Sequence, residues 1–309
     1  MQSLIYSDDV INEVKKYLSV ESFKYIYSPK FIFLCGKGYD YSDPKSYSLT
    51  NRGVIQSYIS VRDSSTNIVL SEKLWENELL KEIDLLTFEE FLAEMSDYVL
   101  LFVESMGSAC ELGAFTFSNE SLMKKLVVIV SDEYKTRDSF IKNGPIEKAL
   151  RFGVPVLYAD LSGPLLSNRE LVGLVDKLVS SLKERSASNK RVISRAEEVT
   201  LASFVPEALE LIRLFQPIKS DDLLHLYKTI KDFSSFTLVK KDGSQFSTKV
   251  KTSLIFQLLL NLEIVSLDEN GFSLSKKTTY ENFMFSFTPL TLSRTRSKIL
   301  SRKYKYKEI

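Results

Sequence analysis

Residues 98–115 read YVLLFVESMGSACELGAF, and this stretch decides the fold. The run YVLLFV is short, continuous and apolar, which is the signature of a strand buried on both faces. It breaks at ESMGSAC, with Gly107 and Ser108 in a small-residue turn, and ELGAF then opens a helical pattern. Glu111 falls just past the end of the strand, where the spacing predicts the first turn of that helix. Backbone N–H groups and the helix dipole favour an anion there, so Glu111 is expected to be ionised and available as a base, a nucleophile or a cation stabiliser. The plainer reading is a capping acid with no chemistry.

The same pattern repeats on either side. KFIFLCG (30–36), NIVLS (67–71), KLVVIVSD (125–132) and VPVLYAD (154–160) read as four more short strands. Helical stretches separate them: 53–63, 87–97, 137–153 and 168–186, with an opening helix over 7–18 capped by Ser7. Thr87 and Glu90 read as a capping box for the helix at 87–97. Five such units predict an α/β, flavodoxin-like, doubly wound parallel five-stranded sheet. Ligands in such sheets bind outside the carboxyl ends of the strands, where GKGYD (36–40), SEKLW (71–75) and ESMGSACE (104–111) all fall. GKGYD lacks the third glycine of a dinucleotide fingerprint.

After KERSASNKR (183–191) the pattern changes. Residues 196–215, 220–233 and 248–265 read as helices, and VSLDENGFSLS (265–275) as a hairpin turning at Glu269-Asn270-Gly271. Helices followed by a hairpin describe a winged helix, the plainer reading being a helical bundle with a surface hairpin. The expected division is a domain over 1–185, a linker over 186–193 and a mostly helical winged-helix domain over 194–309.

Composition excludes several classes. Hydrophobic residues make 44% and charged residues 26% of the chain, as in ordinary soluble proteins. The longest apolar runs fall far short of a membrane span, and the N-terminus shows no signal-peptide core. With 2 Cys and 1 His, a protein-built metal site and a Ser-His-Asp site are not expected. Cys35 and Cys110 read as small packing residues, and their scarcity points to a cytoplasmic protein. His225 reads as an ordinary helix residue. Charge is uneven: residues 51–111 hold 4 Lys/Arg against 12 Asp/Glu, whereas 291–309 hold 7 Lys/Arg against 1 Glu. The basic, tyrosine-bearing end suggests contact with a polyanion, the alternative being a solvated tail.

FLCGKGYD (33–40), LLFVESMGSACELGAF (100–115) and DSFIKNGPIEKAL (138–150) together resemble the nucleoside deoxyribosyltransferase-like effectors of bacterial retrons, of the type II-A kind. The resemblance implies that Glu111 is the catalytic glutamate that attacks an anomeric carbon. It implies substrate-binding roles for Gly36, Gly38, Tyr39, Asp40, Glu72, Glu104, Ser105, Gly107, Ser108 and Asn143. Classical deoxyribosyltransferases carry an aspartate six residues before the glutamate, and here that position is Ser105. Without an acid for the leaving base, the nicotinamide–ribose bond of NAD suits the site better than a nucleoside, because nicotinamide leaves as a neutral molecule. NAD is then substrate, and no cofactor or metal is implied. The resemblance further implies a toxic effector held in check by the retron reverse transcriptase and its RNA–DNA molecule, msDNA. Lys249, Lys251, Arg294, Arg296, Arg302 and Lys303 are the candidate phosphate contacts, and a homo-oligomer is a possible assembly. A nucleotide-sensing module without turnover and a base-exchanging transferase are the alternatives.

Overall fold

The computed structural model describes residues 8–18, 30–38, 40, 43–75, 83–118, 120–162, 168–184, 197–240, 243–246, 250–276 and 289–304. They divide into two compact units. One comprises Lys30–Glu184 with Phe246–Val250, and the other Met1–Pro29, Arg185–Gln245 and Lys251–Ile309.

The first unit is built on a five-stranded, all-parallel sheet. Its strands are β1 (Lys30–Cys35), β2 (Thr66–Val69), β3 (Tyr98–Val103), β4 (Leu126–Ser131) and β5 (Val156–Ala159), in the order β2-β1-β3-β4-β5. This is the order of a flavodoxin-like sheet, the fold class expected from the sequence, and it places the switch point between β1 and β3. Period-two alternation sorts the side chains. Ile32 and Leu34 of β1 and Leu100 and Phe102 of β3 join a cluster with Ile55 and Ile59 of α2 (Asn51–Arg62) and Leu171 and Val175 of α8 (Arg169–Glu184). On the other face Phe33 packs edge-on against Phe115 of α5 (Met106–Ser118), with ring centroids 6.3 Å apart. Cys35, two residues after Phe33, shares that face. Also packed around the sheet are α3 (Ser71–Trp75), α4 (Leu85–Met95), α6 (Glu120–Met123) and α7 (Glu147–Arg151), the last preceded by a π-helical turn over Lys142–Ile146.

Two helix starts differ from the sequence reading, and both matter for the site. α4 is capped by Asp84, whose carboxylate accepts from the Thr87 backbone at 2.8 Å and from its hydroxyl at 2.7 Å. Thr87 is therefore the third helical residue and not the cap, which brings Glu89 into the buried part of the helix. α5 begins at Met106, so Glu111 lies in its second turn rather than its first.

The second unit is mostly helical. Its elements are α1 (Asp8–Leu18), β6 (Glu198–Thr200), α9 (Leu201–Phe215), α10 (Ser220–Lys231), β7 (Thr237–Val239), α11 (Thr252–Asn261), the hairpin β8 (Val265–Asp268) and β9 (Gly271–Leu274), and α12 (Pro289–Tyr304). Phe204, Tyr227, Phe236, Phe256 and Phe272 form its aromatic centre. The hairpin turns at Glu269 and Asn270, as its sequence predicts, and is pinned to the α9–α10 connection by the paired backbones of Ile218 and Phe272. Gly271 is required there, because a Cβ would meet the Ile218 backbone at 2.4 Å. Of the parallel pair β6–β7, β6 falls inside the stretch 196–215 expected to be helical and β7 in a stretch with no expected element, since three residues are too few to show a period.

α1, which lies within the domain expected over 1–185, groups with the helical unit and not with the sheet. α1 buries Val10, Ile11 and Val14, Lys15 pairs with Asp232 of α10's C-terminus at 2.7 Å, and Lys298 of α12 lies 3.8 Å from Glu13. Among the described residues no helix is long and apolar enough to cross a membrane.

Candidate active site

The carboxyl edge of the sheet gathers an unusual set of charges. Arg52 stands in the first turn of α2, although a cation is disfavoured at a helix N-terminus. Its guanidinium is 1% exposed and donates to Glu72 of α3 at 2.7 Å. Glu89, from the buried face of α4, is 6% exposed. Glu111, from α5, is half-buried, and its carboxyl is hydrogen-bonded to that of Glu89. Four elements that are distant in sequence thus bring three glutamates around one arginine.

Burial dominates the ionisation of this cluster. It pushes Glu111 up to about 8, with Glu89 and Glu72 adding to the rise and Arg52 opposing it. Glu89 is likewise raised by burial, to about 7, with hydrogen bonding to Ser71 pulling the other way. Two carboxyls in contact cannot both ionise cheaply, so the pair holds a shared proton near neutrality. Glu111 is therefore not the dipole-stabilised anion its position in sequence suggested. It sits a turn too deep in the helix, and desolvation outweighs the dipole. The Cys35 thiol, buried at the end of β1, is pushed up by the same burial and by Glu111, which makes it a poor nucleophile and a packing residue as expected. Cys110 differs from expectation in being exposed. His225 is exposed on α10.

The loop residues are arranged as follows. Gly36 follows β1 at φ +148°, where a Cβ would come within 2.9 Å of the Phe102 Cβ. Gly36→Ala is therefore expected to destabilise the sheet unit by about 2 kcal/mol in urea unfolding; an unchanged midpoint would show that β3 yields. Gly38 is exposed and faces Glu72. Asp40 accepts from the Ser46 hydroxyl through its carbonyl, and Tyr39 lies outside the described residues. Glu104 ends β3 and takes a hydrogen bond from the Asn51 amide. Ser108 is buried and its hydroxyl accepts from the backbone of Glu104 at 3.0 Å and of Ser105 at 2.9 Å, so it shapes the strand–helix turn. Ser105 and Gly107 are exposed beside it. Asn143 is exposed on the π-helical turn and donates to Asp138.

The family model for the STM3845 retron effector protein matches residues 48–267, a span that takes in Asn51, Arg52, Glu72, Glu89, Glu104 and Glu111. The chain belongs to this retron effector family. Two Escherichia coli relatives accompany the match. One, the "Retron Ec86 putative ribosyltransferase/DNA-binding protein", is 32% identical over 168 residues, which is 52% of this chain and 52% of that one. The Ec73 protein of the same description is 31% identical over 119 residues, 38% of this chain and 37% of its own. The matches thus span about half or less of the relatives' length.

Sequence reasoning about this effector missed Glu89, Arg52 and Asn51. Each left a signal. Glu89 interrupts the apolar face formed by Phe88, Phe91 and Leu92, and Asn51-Arg52 opens a helix with a residue its dipole disfavours. Of the candidate phosphate contacts, Lys251 and Arg294 are exposed, while Arg296 is half-buried and donates to the Gln216 carbonyl at 2.6 Å. Lys249 and the side chains of Arg302 and Lys303 lie outside the described residues.

Proposed function

We propose that this retron effector is an N-glycosidase that hydrolyses the nicotinamide–ribose bond of NAD or of a related nucleotide, with Glu111 as the catalytic carboxyl. The observation that carries the proposal is the buried Glu89–Glu111 pair beside Arg52 and Glu72, at the switch point of a parallel sheet. The relatives' names, which speak of ribosyl transfer, support the reaction class.

The chemistry follows from the pair. In NAD the ring nitrogen bonded to C1′ is already cationic. The C1′–N bond breaks with its electron pair going to nicotinamide, which leaves neutral. The positive charge left on C1′ and the ring oxygen is met by the Glu111 carboxylate, as ion-pair partner or covalent nucleophile. Water then adds at C1′ and its proton passes to the carboxyl pair. A cationic substrate favours the ionised form of both glutamates, so its binding drives off the shared proton. Gly36, Gly38, Tyr39 and Asp40, with Glu72, Ser105, Gly107, Ser108 and Asn143, frame this substrate in the proposal.

Glu89 also favours a second reading. A carboxyl with its value raised to about 7 is a proton donor, so the position occupied by Ser105 does not leave the site without an acid. A neutral nucleoside, and base exchange upon it, come back into reach. The pH profile separates the two. For NAD, kcat/KM is expected to rise as the pair ionises through about pH 7–8 and then level off, because only the carboxylate acts. For a neutral nucleoside it should be bell-shaped, falling once Glu89 has lost its proton.

The helical unit is proposed as a winged-helix module that docks reverse transcriptase and msDNA through Lys251, Arg294 and the basic end, with the effector restrained until release. The relatives' names mention DNA binding. Action in the cytoplasm and assembly of several copies belong to the same proposal. The direct test is NAD and nicotinamide in cells expressing the chain alone, wild type against Glu111→Gln. NAD falling and nicotinamide rising only with wild type supports the reading. If purified wild-type protein instead leaves NAD intact but exchanges bases between nucleosides, the second reading replaces it. If it binds nucleotides with no turnover, the chain is a sensor.

A further inference from the structure

Glu104 is held in an arrangement that local structure does not require. The Asn51 amide donates both to its Oε1 and to the Leu161 carbonyl, the latter at 3.0 Å. Asn51 is 9% exposed, so the carboxyl cannot turn away without breaking a buried amide's hydrogen bonds. The second oxygen, Oε2, is shielded from solvent and meets no donor among the described residues, a condition it shares with Oε2 of Glu111, seven positions on. Two hydroxyls of the adjoining turn are committed elsewhere: Ser108 Oγ lies 3.0 Å from the Ser105 carbonyl, and Ser105 Oγ is 3.1 Å from Ser108 Oγ. A shielded oxygen left without a donor is costly and calls for an explanation.

We infer that Glu104 accepts a hydrogen bond from the 2′-hydroxyl of the substrate's ribose and thereby selects ribosyl over 2′-deoxyribosyl nucleotides. The inference rests on the N-glycosidase reading for what the sugar is attached to, but not for how the sugar is recognised. The chemistry restricts the ligand group. A phosphate or carboxylate would face the carboxylates of Glu104 and Glu72 as like charges. A vicinal diol brings neutral donors, and its removal of one hydroxyl in a 2′-deoxy sugar restores the unpaired oxygen. A site built to hydrogen-bond a hydroxyl rejects the analogue that lacks it far more strongly than an apolar pocket would.

The test uses the full chain with NAD and its analogue carrying 2′-deoxyribose on the nicotinamide side. A 2′-deoxy glycosidic bond is intrinsically more labile, so the readout is the change in the NAD-to-deoxy ratio of kcat/KM between wild type and variant. Glu104→Gln must turn its carbonyl toward Asn51 and so presents an amide N–H donor where the sugar needs an acceptor. That variant and Glu104→Ala are expected to lower the ratio by about 10- to 100-fold, mainly through NAD. An equal loss on both substrates, or an unchanged ratio in variants that melt like wild type, overturns the inference. Calorimetric binding of the two ligands to Glu111→Gln protein separates it from the parent reading. A preference for the ribo ligand of about tenfold that disappears in the Glu104→Gln double variant upholds the sugar role even if wild type turns nothing over. Equal binding, or none, overturns it.

Discussion

Glu111→Gln is expected to cut glycosidase turnover by about three orders of magnitude or more while making the protein more stable at pH 8. The loss follows from removing the carboxyl proposed to meet charge at C1′, an effect of the size seen when a catalytic nucleophile or charge stabiliser is deleted. The gain follows from linkage. Glu111 is raised from an ordinary value of 4.5 to about 8 in the folded chain. Between those values the folded state holds a proton that the unfolded state releases, so stability falls as pH rises through this window. Glutamine keeps the shape of the protonated acid and never ionises. The variant should match wild type near pH 5 and exceed it by about 2 kcal/mol at pH 8, a discount on the full shift because the pair titrates as a unit. Melting curves at the two pH values, beside the turnover assay, check both halves. A variant that is inactive but less stable at pH 8 would mean that Glu111 is a structural acid and the catalytic reading is wrong.

Arg52→Met should have the opposite character. Methionine approximates the arginine stem, so the packing of α2 is retained while the charge is lost. Glu72 then loses its 2.7 Å partner, and Glu89 and Glu111 lose the cation that restrains their rise. Losing the cation leaves the Glu89 and Glu111 carboxyls uncompensated, while Glu72, with a side chain 42% exposed, is left to solvent, so the expected cost is about 1–2 kcal/mol at pH 8. Below pH 6 the remaining carboxyls take up protons and the cost should shrink. The pH–rate profile should shift to higher pH, since the pair now ionises later. Equal destabilisation at pH 5.5 and pH 8 would show that Arg52 matters for packing alone. The two variants together distinguish a charge cluster tuned for chemistry from one that merely holds α2, α3 and α4 together.

Much of the architecture was legible because it is written in short-range patterns. Continuous apolar runs of four to six residues identify buried parallel strands, and the hairpin at Glu269 and Asn270 announces itself by its turn residues. Glu111 stood out because an acid beside a glycine-bearing turn is visible in a dozen residues. What its acidity would be was not visible. That depends on α5 beginning at Met106, and on how much water the neighbouring helices remove.

The amino-acid sequence by itself determined the five strands, their alternation with helices and the place of Glu111 near the carboxyl edge, since each rests on periodicity or turn chemistry within short segments. Only the tertiary structure decided which groups share that edge. Glu89, Arg52 and Asn51 come from helices separated by tens of residues, and no local spacing predicts that they meet. The grouping of α1 with the helical unit is of the same kind: α1 shows an apolar face, but which surface covers it is settled by packing. Proton sharing between two glutamates is a property of a desolvated contact, and a contact exists only once the chain has folded.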